Sequence, residues 1–124
     1  MARQAFLVDE PMNLLKLRPL AEKLFADVRE LSFDGVGVTR ESYGRGESAA
    51  AEYLRQFAIA EGLSVDADRA ANLLFALPDV PADAVCIWTG SHIDSVPQGG
   101  NYDGLAGVIA GLLCLVERQR SGDG

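Results

Sequence analysis

The run Ala84-Val85-Cys86-Ile87-Trp88-Thr89 constrains the fold more than any other segment. It is nearly continuous in apolar residues and does not alternate with polar ones. That is the pattern of a strand buried on both faces, which occurs in sheets covered by helices. A glycine-rich loop, Gln98-Gly99-Gly100-Asn101, follows it. Next comes a segment from Asp103 to Arg120 in which Leu105, Val108, Ile109, Leu112, Leu113 and Val116 recur at helical spacing. Strand, loop and helix in this order predict an α/β arrangement with a crossover helix. Gly104, Gly107 and Gly111 lie on another stripe of that helix. Glycine lowers helix propensity, so close packing against a strand or a metal loop is the expected reason for them.

Upstream, residues 1–18 read as a weakly structured lead-in. A first helix is expected from Pro19 to Leu31, with the proline in the first turn and Leu20, Ala21, Leu24, Val28 and Leu31 on one stripe. Gly35, Gly37, Gly44 and Gly46 mark a loop. A second helix is expected over Glu47–Glu61, burying Ala50, Tyr53, Leu54, Phe57 and Ala58 and stopped by Gly62. Strands are expected near Leu63–Ala67 and Asn72–Leu77, joined as a hairpin through Asp68-Arg69-Ala70-Ala71. Residues 19–120 then form one partial α/β domain, and residues 121–124 a polar tail. A second parallel strand is expected where the sequence stops, so the sheet reads as incomplete.

The net charge of −7 argues against nucleic acid, whose phosphates need clustered Lys and Arg. No apolar run approaches the roughly 20 residues needed to span a bilayer, and the first residues lack the apolar core of a signal peptide. Cys86 and Cys114 lie in apolar segments and read as buried thiols, and Trp88 and Tyr53 read as packing. A cytoplasmic protein is the expectation.

His92 is the one histidine of the chain. It follows the apolar run, two residues before Asp94, and residues i and i+2 of a strand share a side. In open α/β sheets, ligands bind at the C-terminal ends of strands. A metal-bound imidazole needs its second ring N–H held by an acceptor, which Asp94 offers. Asp103, after the loop and at a helix start, could bridge two metals of the kind held roughly 3.5–4 Å apart in two-metal hydrolases. Each residue also has a plain structural role: His92 as a hydrogen-bonding histidine, Asp94 as a turn former, Asp103 as a helix N-cap. The glycine loop lacks the Lys-Ser/Thr pair of a phosphate loop and the dinucleotide glycine spacing.

Taken together, the string Gly90-Ser91-His92-Ile93-Asp94-Ser95-Val96-Pro97-Gln98-Gly99-Gly100-Asn101-Tyr102-Asp103-Gly104 resembles the metal motif of the M20-type metallopeptidases. It is most similar to the hydantoinase/carbamoylase branch, which holds N-carbamoyl-L-amino acid hydrolases, β-ureidopropionases and allantoate amidohydrolases. Gly37-Val38-Thr39-Arg40 and Asp68-Arg69-Ala70-Ala71-Asn72-Leu73 resemble further segments of that branch. The resemblance implies the N-terminal part of a zinc-hydrolase catalytic domain. His92 and Asp103 would be metal ligands, with Asp103 bridging two Zn2+, and Asp94 the acid beside His92. Manganese, cobalt or nickel replaces zinc in some members. The reaction implied is hydrolysis of a C–N bond in a small carbamoyl, ureido or amidino substrate, with a glutamate as general base.

Enzymes of this branch are about three times as long. They add a Glu-Glu pair, more metal-binding histidines, and a lid domain that makes a homodimer and contacts substrate. None of these is found in this sequence, and Glu117 falls within the helix begun by Asp103. The metal site is therefore expected to be incomplete in this chain, and substrate-binding residues are not assigned. Two other readings remain: an aminoacylase or dipeptidase of the same superfamily, disfavoured by Gly99-Gly100, and a non-enzymatic remnant that associates with a partner chain through its open sheet edge.

Overall fold

The computed structural model describes residues 14–122. Residues 1–13 of the expected lead-in, and the last two of the polar tail, lie outside the described residues. Three helices, α1 (Leu14–Ser32), α2 (Arg45–Ala60) and α3 (Leu105–Ser121), pack with a small sheet of β1 (Ser64–Ala67) and β2 (Leu73–Ala76). This is an α/β partial domain whose core lies where the helices meet. Leu24 and Val28 of α1, Ala50, Leu54 and Ala58 of α2, and Leu105, Ile109, Leu112 and Val116 of α3 are buried there.

Helix α1 begins five residues before Pro19, so the proline lies inside it and not in its first turn. Proline removes one i→i−4 hydrogen bond and crowds the preceding turn. Burial of Leu17 in the core gives the chain a reason to continue the helix upstream despite that cost. At the other end Leu31 is exposed, against expectation. Helix α2 stops where Gly62 takes a positive φ of 83°, a conformation that costs glycine little. The amides of Gly62 and Leu63 donate back to Ile59 and Ala58 carbonyls at 3.0 and 2.9 Å, closing the last turn.

The two strands pair antiparallel, with Val65 opposite Phe75. The link is closed by one side chain. Asp68 accepts from the Ala70 and Asn72 amides at 2.8 and 2.9 Å, and from Asn72 Nδ2 at 2.8 Å. Aspartate fills this turn-forming role because its short carboxylate reaches amides two to four residues ahead.

The segment Ala84–Thr89 is the main departure from expectation. It forms no strand, and its apolar side chains face solvent: Val85 is 101% exposed, Ile87 89% and Trp88 71%. The reason is that a buried parallel strand needs ladder partners on both edges and cover on both faces. The described residues provide only the β1–β2 hairpin, which pairs with itself. The two thiols follow suit. Cys86 lies on this uncovered run and Cys114 on the outer side of α3, so both are free and exposed, not buried. Trp88 is likewise not a packing residue. Tyr53 is half-buried, and its hydroxyl donates to the Asp27 carboxylate.

Candidate metal centre

The loop after α1 is shaped by Asp34. Its carboxylate accepts the amides of Val36 and Gly37, each at 2.9 Å, and the Thr39 hydroxyl at 2.5 Å. The Thr39 hydroxyl foremost, then those amides, hold the Asp34 carboxyl down at about 2. The loop so formed is laced to the distant segment 91–104. Val38 and Gly99 exchange backbone hydrogen bonds of 3.0 and 2.8 Å, and the Gln98 amide donates to Thr39 Oγ1 at 3.0 Å. A side chain at Gly37 would come within 2.7 Å of the Gln98 and Gly99 backbone, so the close approach requires glycine there. The Ser95 amide donates to the Arg40 carbonyl at 2.8 Å, and the Arg40 amide returns a bond to Ser95 Oγ at 3.0 Å.

Arg40 itself is fully buried. Its Nε donates to the Ile93 carbonyl at 2.7 Å. One terminal nitrogen donates to Ser32 Oγ and Asn101 Oδ1, and the other to the Asn101 carbonyl. Asn101 is in turn tied to α1, its Nδ2 donating to the Phe25 carbonyl at 3.0 Å. Burial lowers the pKa of Arg40, and the Asp94 charge acts in the opposite direction.

This lacing presents the three expected site residues side by side. His92 Nδ1 lies 3.0 Å from Asp94 Oδ1 and 3.1 Å from the Asp94 carbonyl. Two acceptors at Nδ1 favour the tautomer with its proton there and leave the lone pair on Nε2. That Nε2 lies 3.7 Å from Asp103 Oδ2. Ser42 Oγ donates to the second Asp94 oxygen at 2.7 Å. This bond first, and the His92 contact second, hold the Asp94 carboxyl below its ordinary range. Asp94 is thus an ionised acceptor behind the imidazole.

Zinc is bound by histidine nitrogen and carboxylate oxygen at about 2.0–2.2 Å each, so two such donors on one ion lie no more than about 4.4 Å apart. The gap of 3.7 Å is compatible with a shared cation and too long for a direct hydrogen bond. The side chains are open to solvent, His92 at 52% and Asp103 at 83%. The donor types suit zinc and its neighbours among the divalent metals. Among the described residues, however, no group of three or more His, Cys, Asp or Glu could hold a metal ion.

Helix α3 shapes the site by withdrawing side chains. A Cβ on Gly104 would stand 2.4 Å from the His92 carbonyl oxygen, and one on Gly107 would stand 2.7 Å from Ser91 Cβ. Gly111 meets Thr89 more loosely, at 3.1 Å. The glycine stripe is therefore the bed on which residues 89–92 lie. Asp103 does not cap α3. Gly104, with φ 68°, occupies the N-cap position without a side-chain hydrogen bond, which leaves the Asp103 carboxylate turned to His92. Sequence reasoning singled out His92, Asp94 and Asp103. It missed the supporting roles of Asp34, Ser42 and Ser95, and gave Arg40 and Asn101 no role beyond their place in a resembling string.

The N-carbamoyl-L-amino-acid amidohydrolase of Paenarthrobacter aurescens is 41% identical to this chain over 99 residues, covering 74% of the chain and 23% of the enzyme. The N-carbamoyl-L-amino acid amidohydrolase of Geobacillus stearothermophilus is 37% identical, covering 73% and 23%. The allantoate amidohydrolase of Bacillus subtilis is 38% identical, covering 68% and 20%. The chain belongs to this amidohydrolase branch. It spans less than a quarter of the length of these curated relatives. No protein-family model matches it, and no solved structure matches it. Within this amidohydrolase segment no helix among the described residues is long and apolar enough to cross a membrane.

Proposed function

We propose that this chain carries one corner of a two-metal site in a hydrolase that cleaves C–N bonds of linear amides and amidines. N-carbamoyl amino acids, ureidopropionate and allantoate are the substrate class, and the setting is cytoplasmic. The observation that carries this reading is the His92 Nε2 to Asp103 Oδ2 gap of 3.7 Å, backed by Asp94 on the other ring nitrogen. His92 supplies a neutral imidazole donor and Asp103 a carboxylate able to bridge. Asp94 holds the His92 ring in place and keeps the proton on Nδ1. A bound divalent metal, zinc first and manganese, cobalt or nickel as substitutes, supplies Lewis-acid polarisation of the scissile carbonyl.

Two donors are fewer than the three or four protein ligands that a zinc site ordinarily takes. The chain by itself is therefore expected to bind Zn2+ weakly and to leave N-carbamoyl amino acids intact. Calorimetric titration with Zn2+ and an N-carbamoyl-amino-acid hydrolysis assay on the 124-residue chain test both halves. Loss of the weak binding in His92→Ala supports the reading. Zn2+ binding unaffected by that change, or turnover by the chain alone, overturns it.

A second reading rests on the bare apolar run at Val85, Ile87 and Trp88. In it, the chain persists as a non-enzymatic piece whose uncovered apolar run pairs with another chain. Sedimentation of the chain as a monomer across its soluble concentration range argues against this reading.

A further inference from the structure

Arg40 is the largest fully buried side chain among the described residues, and it is a cation. Among the described residues every hydrogen-bond partner of its guanidinium is neutral: the Ile93 and Asn101 carbonyls, Asn101 Oδ1 and Ser32 Oγ. The Asp94 charge acts on it only from beyond ion-pair distance. Burying a charge without an ion pair is costly, so stability alone is a poor reason to keep one here. What the arrangement provides is geometry. Ile93 is the residue between His92 and Asp94, and Asn101 stands two residues before Asp103. One planar fork thus grips both limbs of the loop that carries the imidazole and the carboxylate. Lysine has the charge but not the fork, and cannot hold diverging acceptors in one plane.

We propose that Arg40 is a positioning residue that sets the spacing of His92 and Asp103, and through it the affinity of the pair for a divalent cation. The proposal rests on the metal reading above. Co2+ serves as the probe, and the single imidazole of the chain as the reporter, since its nitrogen resonances need no separation from others. In the unaltered chain Co2+ is expected to perturb His92 Nε2. Removing an outer partner of a metal ligand typically weakens metal binding by about 10–100-fold. Arg40→Lys and Arg40→Gln are expected to weaken Co2+ binding in that range, with lysine giving no rescue. Asn101→Ala, which keeps the charge and removes one anchor, is expected to lose less. A merely electrostatic or space-filling role would let Arg40→Lys retain the affinity, and that result overturns the proposal. If both Arg40 variants fail to fold, Asn101→Ala decides: unchanged Co2+ affinity overturns it.

Should Co2+ leave His92 untouched in the unaltered chain, the metal reading falls by itself. The positioning claim is then read without metal, from the His92 ring shifts and the exchange rates of the Ser95 and Gly99 amides in Arg40→Lys. Altered ring shifts and faster exchange support it, and unaltered values overturn it.

Discussion

Residues 84–90 and 91–104 follow one another between the hairpin and α3, and neither half forms a helix or a named strand. The first half is the more apolar, yet its large side chains stand in water. The second is rich in Gly, Ser, Asn and Asp, yet it is fixed by backbone and side-chain bonds to Val38, Thr39 and Arg40. The contrast separates two requirements that a hydrophobic pattern merges. Apolar residues state what a segment would bury, whereas hydrogen-bond partners decide whether its backbone is held. The 91–104 segment finds its partners in the loop after α1, so the candidate site is held although the apolar run leading to it is unpaired.

The largest effect belongs to the helical core that both halves flank. Leu54 is fully buried at the centre of α2. Leu54→Ala is expected to destabilise the chain by about 2–5 kcal/mol, through lost burial and the cavity left behind. Urea unfolding measures this. A cost below about 1 kcal/mol would mean that the core packs no better than the open segment, and the comparison would lose its reference.

The glycine stripe of α3 touches both halves and so grades them. Gly104→Ala places a methyl against the His92 backbone at a positive φ, in the pinned half. The expected cost is about 1–3 kcal/mol, with a shifted His92 resonance. Gly111→Ala meets only the Thr89 methyl, in the half without backbone bonds to distant segments. There the gain in helix propensity, about 0.5–1 kcal/mol, should prevail. Thermal melts of the two variants moving in the same direction would show that the two halves are equally held.

Much of this division is absent from local sequence pattern. Periodicity located three helices and the hairpin, and the glycines of α3 pointed correctly to close packing on the segment before the loop. The start of α1 was obscured because Pro19 is a strong local signal, whereas the burial of Leu17 is a tertiary one. The apolar run resembled a buried strand because composition carries no information on whether ladder partners exist. Arg40 had no local signature: its side-chain partners at Ile93 and Asn101 lie 53 and 61 residues away. His92 and Asp94 were legible because their relation is local, at i and i+2. Asp103 was legible as a candidate ligand from its place after the loop and in the resembling string, while its plainer role as an N-cap is taken by Gly104.

The lacing itself carries a pH signature. Asp34 titrates at about 2 in the folded loop against an ordinary value of 3.8. A depressed folded pKa stabilises the native state above the unfolded value, and this contribution is lost as pH falls from about 4 to about 2. The melting temperature of the unaltered chain should therefore exceed that of Asp34→Asn at pH 5. The difference should shrink through that window and become small at pH 2. A constant difference would show that the Asp34 charge does not hold the loop to which residues 91–104 are laced.

The smallest expected effect makes the strictest demand on the comparison. Ile87 is 89% exposed and lies at the middle of the apolar run 84–89. If that run were held as a covered strand, Ile87→Ser would cost several kcal/mol, comparable with Leu54→Ala. In the open half it removes no packed contact, and surface changes of this kind usually stay within about 0.5 kcal/mol of neutral. Urea unfolding at low protein concentration gives the intrinsic value, and repeating it at tenfold higher concentration exposes any contribution from association. A neutral result at both concentrations confirms that the run is unpartnered. A loss that appears only at the higher concentration assigns Ile87 to a contact between chains. A large loss at both would place the run inside the core, and the distinction between the two halves would have to be abandoned.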